Sequence, residues 1–301
     1  KDFLFILRKL IFHCEQNDLQ EYFIVIDMVR GTNFFAAFFT LRYELGSLLL
    51  LWTLPHLFTN FTTVYLIGLL SLTVKHTIFK KFLNYPSLAF LLYVMTFAHI
   101  VDANQIRFAL ALCVVFYALF KEPTSKFFYL FWALFSTLFH YSGIVILCLY
   151  FVKRPLTLLF CVGILALVFD LAISSSPYLN FATIWKSSSE GTVSLTNSLF
   201  VAQFCLCLAC VVDWRFLDDA QKRGALLCIF GAAVYLAFLN NPIVAHRIRE
   251  LSQIGIFAII FLGEPRWSAI KLVSSFCLGY MVCYNLFHIF FELMSLADFT
   301  L

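Results

Sequence analysis

Three arginines at the ends of apolar stretches are the side chains best suited to bind an anion: Arg107, Arg247 and Arg249. A guanidinium stays charged at physiological pH and presents a planar fork of N–H donors that fits phosphate oxygens. A single arginine at a helix end often only reaches toward lipid headgroups, but several on one membrane face indicate a site. The anion expected at this depth is a diphosphate attached to a lipid.

Two side chains are the main candidates to accept a proton. Histidine ordinarily titrates near neutral pH, so His140 is the first choice for a general base. The alternative is a hydrogen-bonded histidine inside an apolar helix. Glu44 is the second choice, as a base or as an orienting carboxylate, and its alternative is a local ion pair with Arg42. His99 and His246 are weaker candidates, because each can pair with a headgroup.

The composition indicates which elements must position these groups. Of the 301 residues, 62% are hydrophobic and only 13% are charged, and the mean hydropathy is +0.90. Soluble domains contain roughly 25% charged and about 45–50% apolar residues. A soluble fold of this size cannot hide so much apolar surface. We therefore expect an all-α, polytopic transmembrane helical bundle with about 9–11 membrane segments and short re-entrant or interfacial helices.

Apolar runs follow one another through most of the chain, and a bilayer core needs about 20 such residues per upright helix. The predicted segments are 61–79, 85–101, 105–120, 126–139, 142–152, 155–173, 197–213, 224–240, 250–263 and 270–292. The segments 126–139 and 142–152 are too short to span upright, so we predict a tight hairpin around His140–Gly143. A single long helix over 126–152 is the alternative.

The basic residues favour the hairpin, because lysine and arginine concentrate in cytoplasmic loops. With a hairpin, the following groups all fall on one side: Lys80 and Lys81, Lys121 and Lys126, Lys153 and Arg154, Arg215 with Lys222 and Arg223, and Arg266 with Lys271. With a single helix this pattern breaks after residue 152. The net charge of +4 therefore reflects membrane topology, and no nucleic acid is expected as a partner.

The opposite, outer face collects the groups that could carry chemistry. Besides the loop 174–196, they are Arg42, Glu44, Asp102, Asn104, Arg107, His140, Arg247 and Arg249. Basic residues on this face contradict the orientation bias and so indicate a function. The midplane of the bilayer is otherwise expected to be nearly bare of polar side chains.

We predict one integral membrane domain, 1–301. Its first part, 1–58, is interrupted by charges and is expected to be interfacial or partly spanning, with an amphipathic helix over 45–59 that ends near Pro55. Residues 59–292 form the bundle. The chain begins at Lys1 and not at Met, which leaves room for upstream sequence, and no cleavable signal peptide is evident.

The ten cysteines do not indicate a metal site. Most lie inside apolar runs, where cysteine behaves as a small hydrophobe. The spacing of Cys205, Cys207 and Cys210 is that of a metal motif only if the apolar helix that carries them is ignored. We therefore predict no metal and no cofactor.

Four segments resemble motifs of the EpsG family of Wzy-type bacterial polysaccharide polymerases. R-Y-E-L-G at 42–46 is similar to the family's E-P-G-F segment, with leucine in place of proline. N-Q-I-R-F-A-L-A at 104–111 resembles its N-x-I-R-Q-x-L-A helix start, and L-F-H-Y-S at 138–142 resembles its F-H-x-S-A turn. H-R-I-R at 246–249 lies where the family has its last arginine. The segments occur in the family's order, and the resemblance covers residues 40–265.

The resemblance implies a metal-independent membrane glycosyltransferase that joins undecaprenyl-diphosphate-linked repeat units into a surface polysaccharide, such as an O-antigen or exopolysaccharide. The growing glycan is then the donor and a single lipid-linked repeat unit the acceptor, on the outer face of the bacterial inner membrane. Arg107, Arg247 and Arg249 would hold the diphosphate, and the remaining implied residues are His140 or Glu44 as base, with Asn104 and Arg42 beside the substrate. Whether a chain-length regulator also binds is left open.

Two other classes of protein fit some of these residues. A membrane O-acyltransferase acting on glycans would also use His140 as a base, but no polar cluster marks a cytoplasmic path for its acyl donor. A lipid-linked glycan transporter would use the arginines to bind diphosphate. We expect a transporter to have more spans, and often polar residues through the midplane.

Overall fold

The computed structural model of the chain describes residues 16–41, 43–98, 101–125, 127–151, 153–175, 198–239, 242–262 and 269–298. These residues form helices and none of them lies in a strand, so the predicted all-α class is confirmed. Two compact units make up the chain. The first comprises residues 1–118, 130–144 and 280–301, and the second comprises 119–129 and 145–279. The prediction of a single domain stays a prediction beside this division.

Short helices precede and follow one long helix in the first part of the chain. They are α1 (Gln16–Arg30), α2 (Phe34–Thr40), α3 (Leu45–Thr53), α4 (Asn60–Phe82), α5 (Pro86–Tyr93), α6 (Val101–Asn104), α7 (Ile106–Phe120) and α8 (Phe128–Thr137). A 3₁₀ turn, Leu54–His56, extends α3, and a π-helical turn, Val94–Ala98, extends α5. The predicted helix over 45–59, ending near Pro55, is confirmed in its position.

The second part of the chain begins with an unusually long 3₁₀ helix, Tyr141–Phe151. The helices after it are α9 (Pro155–Ser175), α10 (Ser198–Val212), α11 (Asp219–Ala237), α12 (Pro242–Gln253), α13 (Gly255–Phe261) and α14 (Ala269–Asp298). One predicted segment is wrong in its bounds. In place of a single run over 250–263, α12 already begins at Pro242, and the chain breaks at Ile254 before α13.

Polar residues between the apolar runs determine where helices begin. Asn33 accepts a hydrogen bond from the backbone N–H of Ala36 at the start of α2 (2.8 Å), and Thr59 caps α4. At α11, Asp218 accepts from the backbone N–H of Gln221 (2.7 Å), whose side chain accepts from the Asp218 N–H in return (3.3 Å). Such caps satisfy N–H groups that the first turn leaves unpaired.

Two of the described helical stretches are long and apolar enough to cross a membrane, α4 and the segment Ile270–Phe287 within α14. Seven shorter apolar helical stretches of 10–17 described residues accompany them, among them Pro155–Val168 within α9. The 3₁₀ helix is longer in Å than an α-helix with the same number of residues. Its 11 residues reach about 22 Å at about 2.0 Å per residue, whereas an α-helix of that length would reach about 16 Å.

The predicted break around His140–Gly143 is confirmed, and the single long helix over 126–152 is wrong. Helix α8 ends at Thr137, and a methyl group on Gly143 would overlap the side chain of Ser136. Residues seven apart in a continuous α-helix are about 10 Å apart, so this contact requires the chain to turn. Ser136 is itself held by a hydrogen bond from its hydroxyl to the Ala111 carbonyl, 3.0 Å long.

A buried cluster of apolar side chains holds α1, α3, α4 and α7 together in the first unit. It includes Ile26, Leu48, Ile67 and Ile106, each at most 1% exposed. Leu48 lies in the first turn of α3 and Ile106 is the first residue of α7, so the cluster holds both helix starts.

In the second unit, α11 packs against α12 and α13. A methyl group on Gly224 or Gly255 would overlap the carbonyl of the other glycine. The backbones of α11 and α13 are therefore in direct contact there. Arg223, expected only as a loop residue, is buried, and its Nε–H donates to the Leu119 carbonyl at 2.9 Å. This bond satisfies a carbonyl at the C-terminal end of α7.

Candidate active site

Arg107 and Glu44 form an ion pair in the first unit. Arg107 lies in the first turn of α7 and Glu44 immediately precedes α3, and their Nη1 and Oε2 atoms are 2.9 Å apart. The side chains are 21% and 16% exposed, respectively, so a ligand can still reach the pair. The Tyr43 ring lies 4.1 Å from the Arg107 guanidinium carbon. Burial raises the pKa of Tyr43 well above its ordinary range, so the ring faces the cation as a neutral phenol.

Glu44 also connects this pair to the turn that carries His140. Its Oε1 atom accepts a hydrogen bond of 3.3 Å from the backbone N–H of Tyr141. The expected local pair of Glu44 with Arg42 lies outside the described residues. Of the two roles predicted for Glu44, the contacts favour the orienting carboxylate, since both of its oxygens hold other parts of the site.

The start of α3 is bonded directly to the end of α8. The Leu138 carbonyl accepts from the backbone N–H groups of Gly46 (2.7 Å) and Ser47 (3.3 Å). The Ser47 hydroxyl donates to the Phe139 carbonyl at 2.6 Å. N–H groups left unpaired at one helix start thus satisfy carbonyls left unpaired at another helix end. The two motif segments are thereby joined by their backbones.

Gly46→Ala tests this junction. An alanine methyl there would lie 2.8 Å from the Leu138 carbonyl oxygen and 3.2 Å from its carbon, so α3 would have to shift. We expect a loss of about 1–3 kcal/mol of stability, measured by thermal unfolding in detergent. The control is Gly163→Ala in α9, where no atom lies within 4 Å and a gain of about 0.5–1 kcal/mol is expected. If the two variants were equally stable, the close contact between Gly46 and the Leu138 carbonyl would be contradicted.

His140 is buried, and its ring orientation is determined by the next residues of the turn. The Ser142 backbone N–H donates to Nδ1 at 3.2 Å, and the Ser142 hydroxyl oxygen lies 2.7 Å from the same nitrogen. Because Nδ1 accepts, the neutral ring carries its proton on Nε2. The Phe108 ring packs edge-on against the imidazole at 5.7 Å, and the Tyr141 ring stacks on it at 4.3 Å.

A fully buried charge pair lies close in sequence to Arg107, and the sequence analysis missed it. Lys75 Nζ and Asp102 Oδ1 are 2.6 Å apart, with side chains 0% and 2% exposed. The Tyr93 hydroxyl donates to the other carboxylate oxygen at 2.6 Å, and Lys75 donates to the Ser71 hydroxyl at 2.9 Å. The expectation of a bare midplane stays a prediction, but it did not include this pair. A lysine inside the apolar run 61–79 was the available signal.

Arg247 and Arg249 lie on α12 in the second unit. Arg249 is buried, lies 5.4 Å from the Tyr235 ring and pairs with Glu250 at 3.6 Å, whereas Arg247 is half-buried. Side chains that are two residues apart on an α-helix point about 200° away from each other. The two arginines therefore do not present one face to a ligand. His246 contacts the Tyr235 ring, and burial together with Arg249 lowers its pKa. The joint clamp of Arg107, Arg247 and Arg249 stays a prediction.

Several predicted positions lie outside the described residues. These are Arg42, His99 and most of the loop 174–196, and of Asn104 only the backbone, at the end of α6, is described. Among the described residues, no group of three or more His, Cys, Asp or Glu side chains is arranged to hold a metal ion. Cys207 and Cys210 are buried free thiols, and Cys205 is exposed.

The described part of the chain is helical and many of its helices are apolar, which is consistent with a membrane protein. Its first unit brings together Arg107, Glu44 and the turn that carries His140. The sequence profile of the EpsG family matches residues 12–299. The chain therefore belongs to the EpsG family, which is of the Wzy polysaccharide-polymerase type. Neither the curated proteins nor the solved structures gave a match.

Proposed function

We propose that the chain joins undecaprenyl-diphosphate-linked repeat units into a surface polysaccharide on the outer face of the inner membrane. Family membership supports a polysaccharide polymerase. The observation that carries the proposal is Glu44, which bonds to Arg107 on one side and to the His140 turn on the other. An anion-binding group and a proton-accepting group are thereby held in one small region.

The donor's diphosphate is the leaving group, so the enzyme must hold it and compensate its charge. Arg107 is the proposed group. Its Nη1 is bound to Glu44, while its Nε–H is buried without an acceptor among the described residues. A phosphate oxygen can take the place of a carboxylate oxygen on this fork. Arg247 and Arg249 remain proposed as further contributors, together with Asn104 and Arg42.

The acceptor hydroxyl must lose one proton as the new glycosidic bond forms. We propose that this proton passes to the Ser142 hydroxyl oxygen while Ser142 gives its own proton to Nδ1 of His140. The acceptor oxygen then bonds to the anomeric carbon, and the bond from that carbon to the phosphate oxygen breaks, with its electron pair leaving on the diphosphate. The 2.7 Å distance between Ser142 Oγ and Nδ1 supports this order of groups.

Ser142→Ala tests the relay. General base catalysis contributes typically about 10²–10⁴-fold, so we expect the polymerisation rate to fall by about a hundredfold in both Ser142→Ala and His140→Ala. Groups that act as one unit are not additive, so the double variant should be little slower than either single one. The measurement is the initial rate of ladder growth in membrane vesicles. Multiplying effects in the double variant would contradict the relay.

The function itself is tested in a strain that lacks its own copy of this gene. We expect the chain to restore a ladder of repeats when the extracted surface glycan is run on a gel. Unchanged ladders with altered acetyl content would instead indicate an O-acyltransferase. Absence of any lipid-linked repeat on the outer face in the deleted strain would indicate a transporter.

A further inference from the structure

A pocket of about 630 Å³ opens in the first unit, away from the ion pair of Arg107 and Glu44. The end of α1, the segment after α3 and the start of α4 form its walls. The lining residues include Phe23, Arg30, His56, Phe58, Asn60 and Phe61.

The pocket has polar groups whose positions are determined before a ligand arrives. Arg30 donates to the carbonyls of Pro55 (3.1 Å) and Phe58 (2.7 Å), which ties α1 to the opposite wall. The side-chain nitrogen of Asn60 donates to Asp27 at 2.8 Å. The Asn60 oxygen is left buried without a donor among the described residues. The site therefore has an unused acceptor beside a fixed cation.

The remaining lining is aromatic and open. Phe58 and Phe61 are 41% and 40% exposed, and His56 is exposed as well. A pyranose ring offers an apolar C–H face and a rim of hydroxyl groups. Aromatic rings can pack against the apolar face of the sugar, and the polar groups of Arg30, His56 and Asn60 can bond to its hydroxyl groups.

The lengths of α3 and α1 give the distance from this pocket to the ion pair. The nine residues of α3 run from Glu44 at the ion pair to the pocket wall, about 13 Å at about 1.5 Å per residue. On α1, Glu21 bonds to Tyr43 beside Arg107, and Arg30 lies nine residues further on, again about 13 Å away. A glycan whose diphosphate lies at Arg107 can therefore extend into the pocket.

We propose that this pocket binds a sugar residue of the lipid-linked glycan, remote from the bond that reacts. The inference rests on the proposed function, because it assumes that the diphosphate end of the glycan lies at Arg107. It assigns a saccharide subsite to residues outside the reacting groups. Sugar recognition at this distance would select the repeat unit through contacts away from the reacting groups.

Binding is tested with the single-repeat saccharide, freed of its diphosphate lipid, by saturation-transfer NMR on the intact chain in nanodiscs. We expect Phe61→Ala and His56→Ala to weaken binding about five- to tenfold, and Phe61→Tyr to restore it. Arg107→Ala should bind the saccharide normally. The matched control is Phe35→Ala in α2, an aromatic residue that is 72% exposed and outside the pocket.

The gel assay separates this inference from the proposed function. A glycan ladder from the wild-type chain, together with unchanged saccharide binding in Phe61→Ala and His56→Ala, would contradict the saccharide subsite. The proposed polymerase function would still stand. Saccharide binding that Phe61→Ala weakens, without any ladder from the wild-type chain, would support the pocket and overturn the polymerase. Loss of binding in Phe35→Ala as well would also overturn the pocket.

Discussion

Arg107→Ala is expected to collapse the glycan ladder to single repeats. Removing one preorganised donor from a developing negative charge typically costs about 10²–10³-fold in rate, and Arg107 is the cation of the proposed site that Glu44 holds in place at 2.9 Å. The measurement is the ladder at matched membrane levels. The control is Arg154→Ala, an exposed arginine of the second unit.

Two further variants separate a direct role of Arg107 from a structural one. Arg107→Lys keeps the charge and loses the planar fork, so partial recovery is expected. Glu44→Gln keeps the hydrogen bond to Tyr141 and removes the ion pair, so it should leave a shortened ladder. A full ladder in Arg107→Ala would remove this residue from the site. A collapse in Glu44→Gln equal to that in Arg107→Ala would instead favour Glu44 as the base.

Lys75→Met is the substitution expected to cost the most stability. It leaves Asp102 as an uncompensated charge in a place that is 2% exposed, and breaking a buried pair in this way costs about 3–5 kcal/mol. We expect the apparent Tm in detergent to fall by roughly 10 °C. Lys80→Met, on the same helix but exposed, is the control and should change little.

The double variant Lys75→Met/Asp102→Asn should recover most of that loss. The neutral amide can still accept the hydrogen bond from Tyr93, and no charge is left buried. Replacing both members of a buried pair is often close to neutral. A double variant as unstable as the sum of the single ones would contradict the pair as the source of the effect.

The pair also bears on the site, because Asp102 lies five residues before Arg107. A methyl group on Gly68 would lie 2.6 Å from the Asp102 carbonyl oxygen, so α4 approaches this backbone closely. The carboxylate is held by Lys75 and Tyr93 at the same point. The start of α7, and with it Arg107, is thus supported by a buried network of charges and hydrogen bonds.

Most of the helices were predictable from the sequence because their signals are local. Apolar runs predict helices, but the helix that Asp218 caps begins at Asp219, before the predicted run 224–240. The turn at His140 was also predicted, since two short runs and the distribution of basic residues along the chain favoured a hairpin over one long helix. The break at Ile254 was not predicted, although Gly255 directly after it is a local signal for the end of a helix.

The candidate site was predictable only as a set of residues. Glu44, Arg107 and His140 were each identified in the sequence, and the family motifs indicated that they belong to one site. Their contacts depend on how helices pack: Glu44 and Arg107 are 63 residues apart in the chain, and Glu44 and Tyr141 are 97 apart. No periodicity relates residues at such distances, so the assignment of Glu44 as a link between two groups came from the tertiary structure.

What the sequence by itself determined is therefore the all-α class, most of the helices and the family, since hydropathy and motif order can be read along the chain. What only the tertiary structure decided is which charges meet. Lys75 was hidden within an apolar run, and its partner Asp102 lies 27 residues away on another helix. A charge is tolerated in such surroundings only when packing brings an opposite charge and hydrogen-bond partners to it.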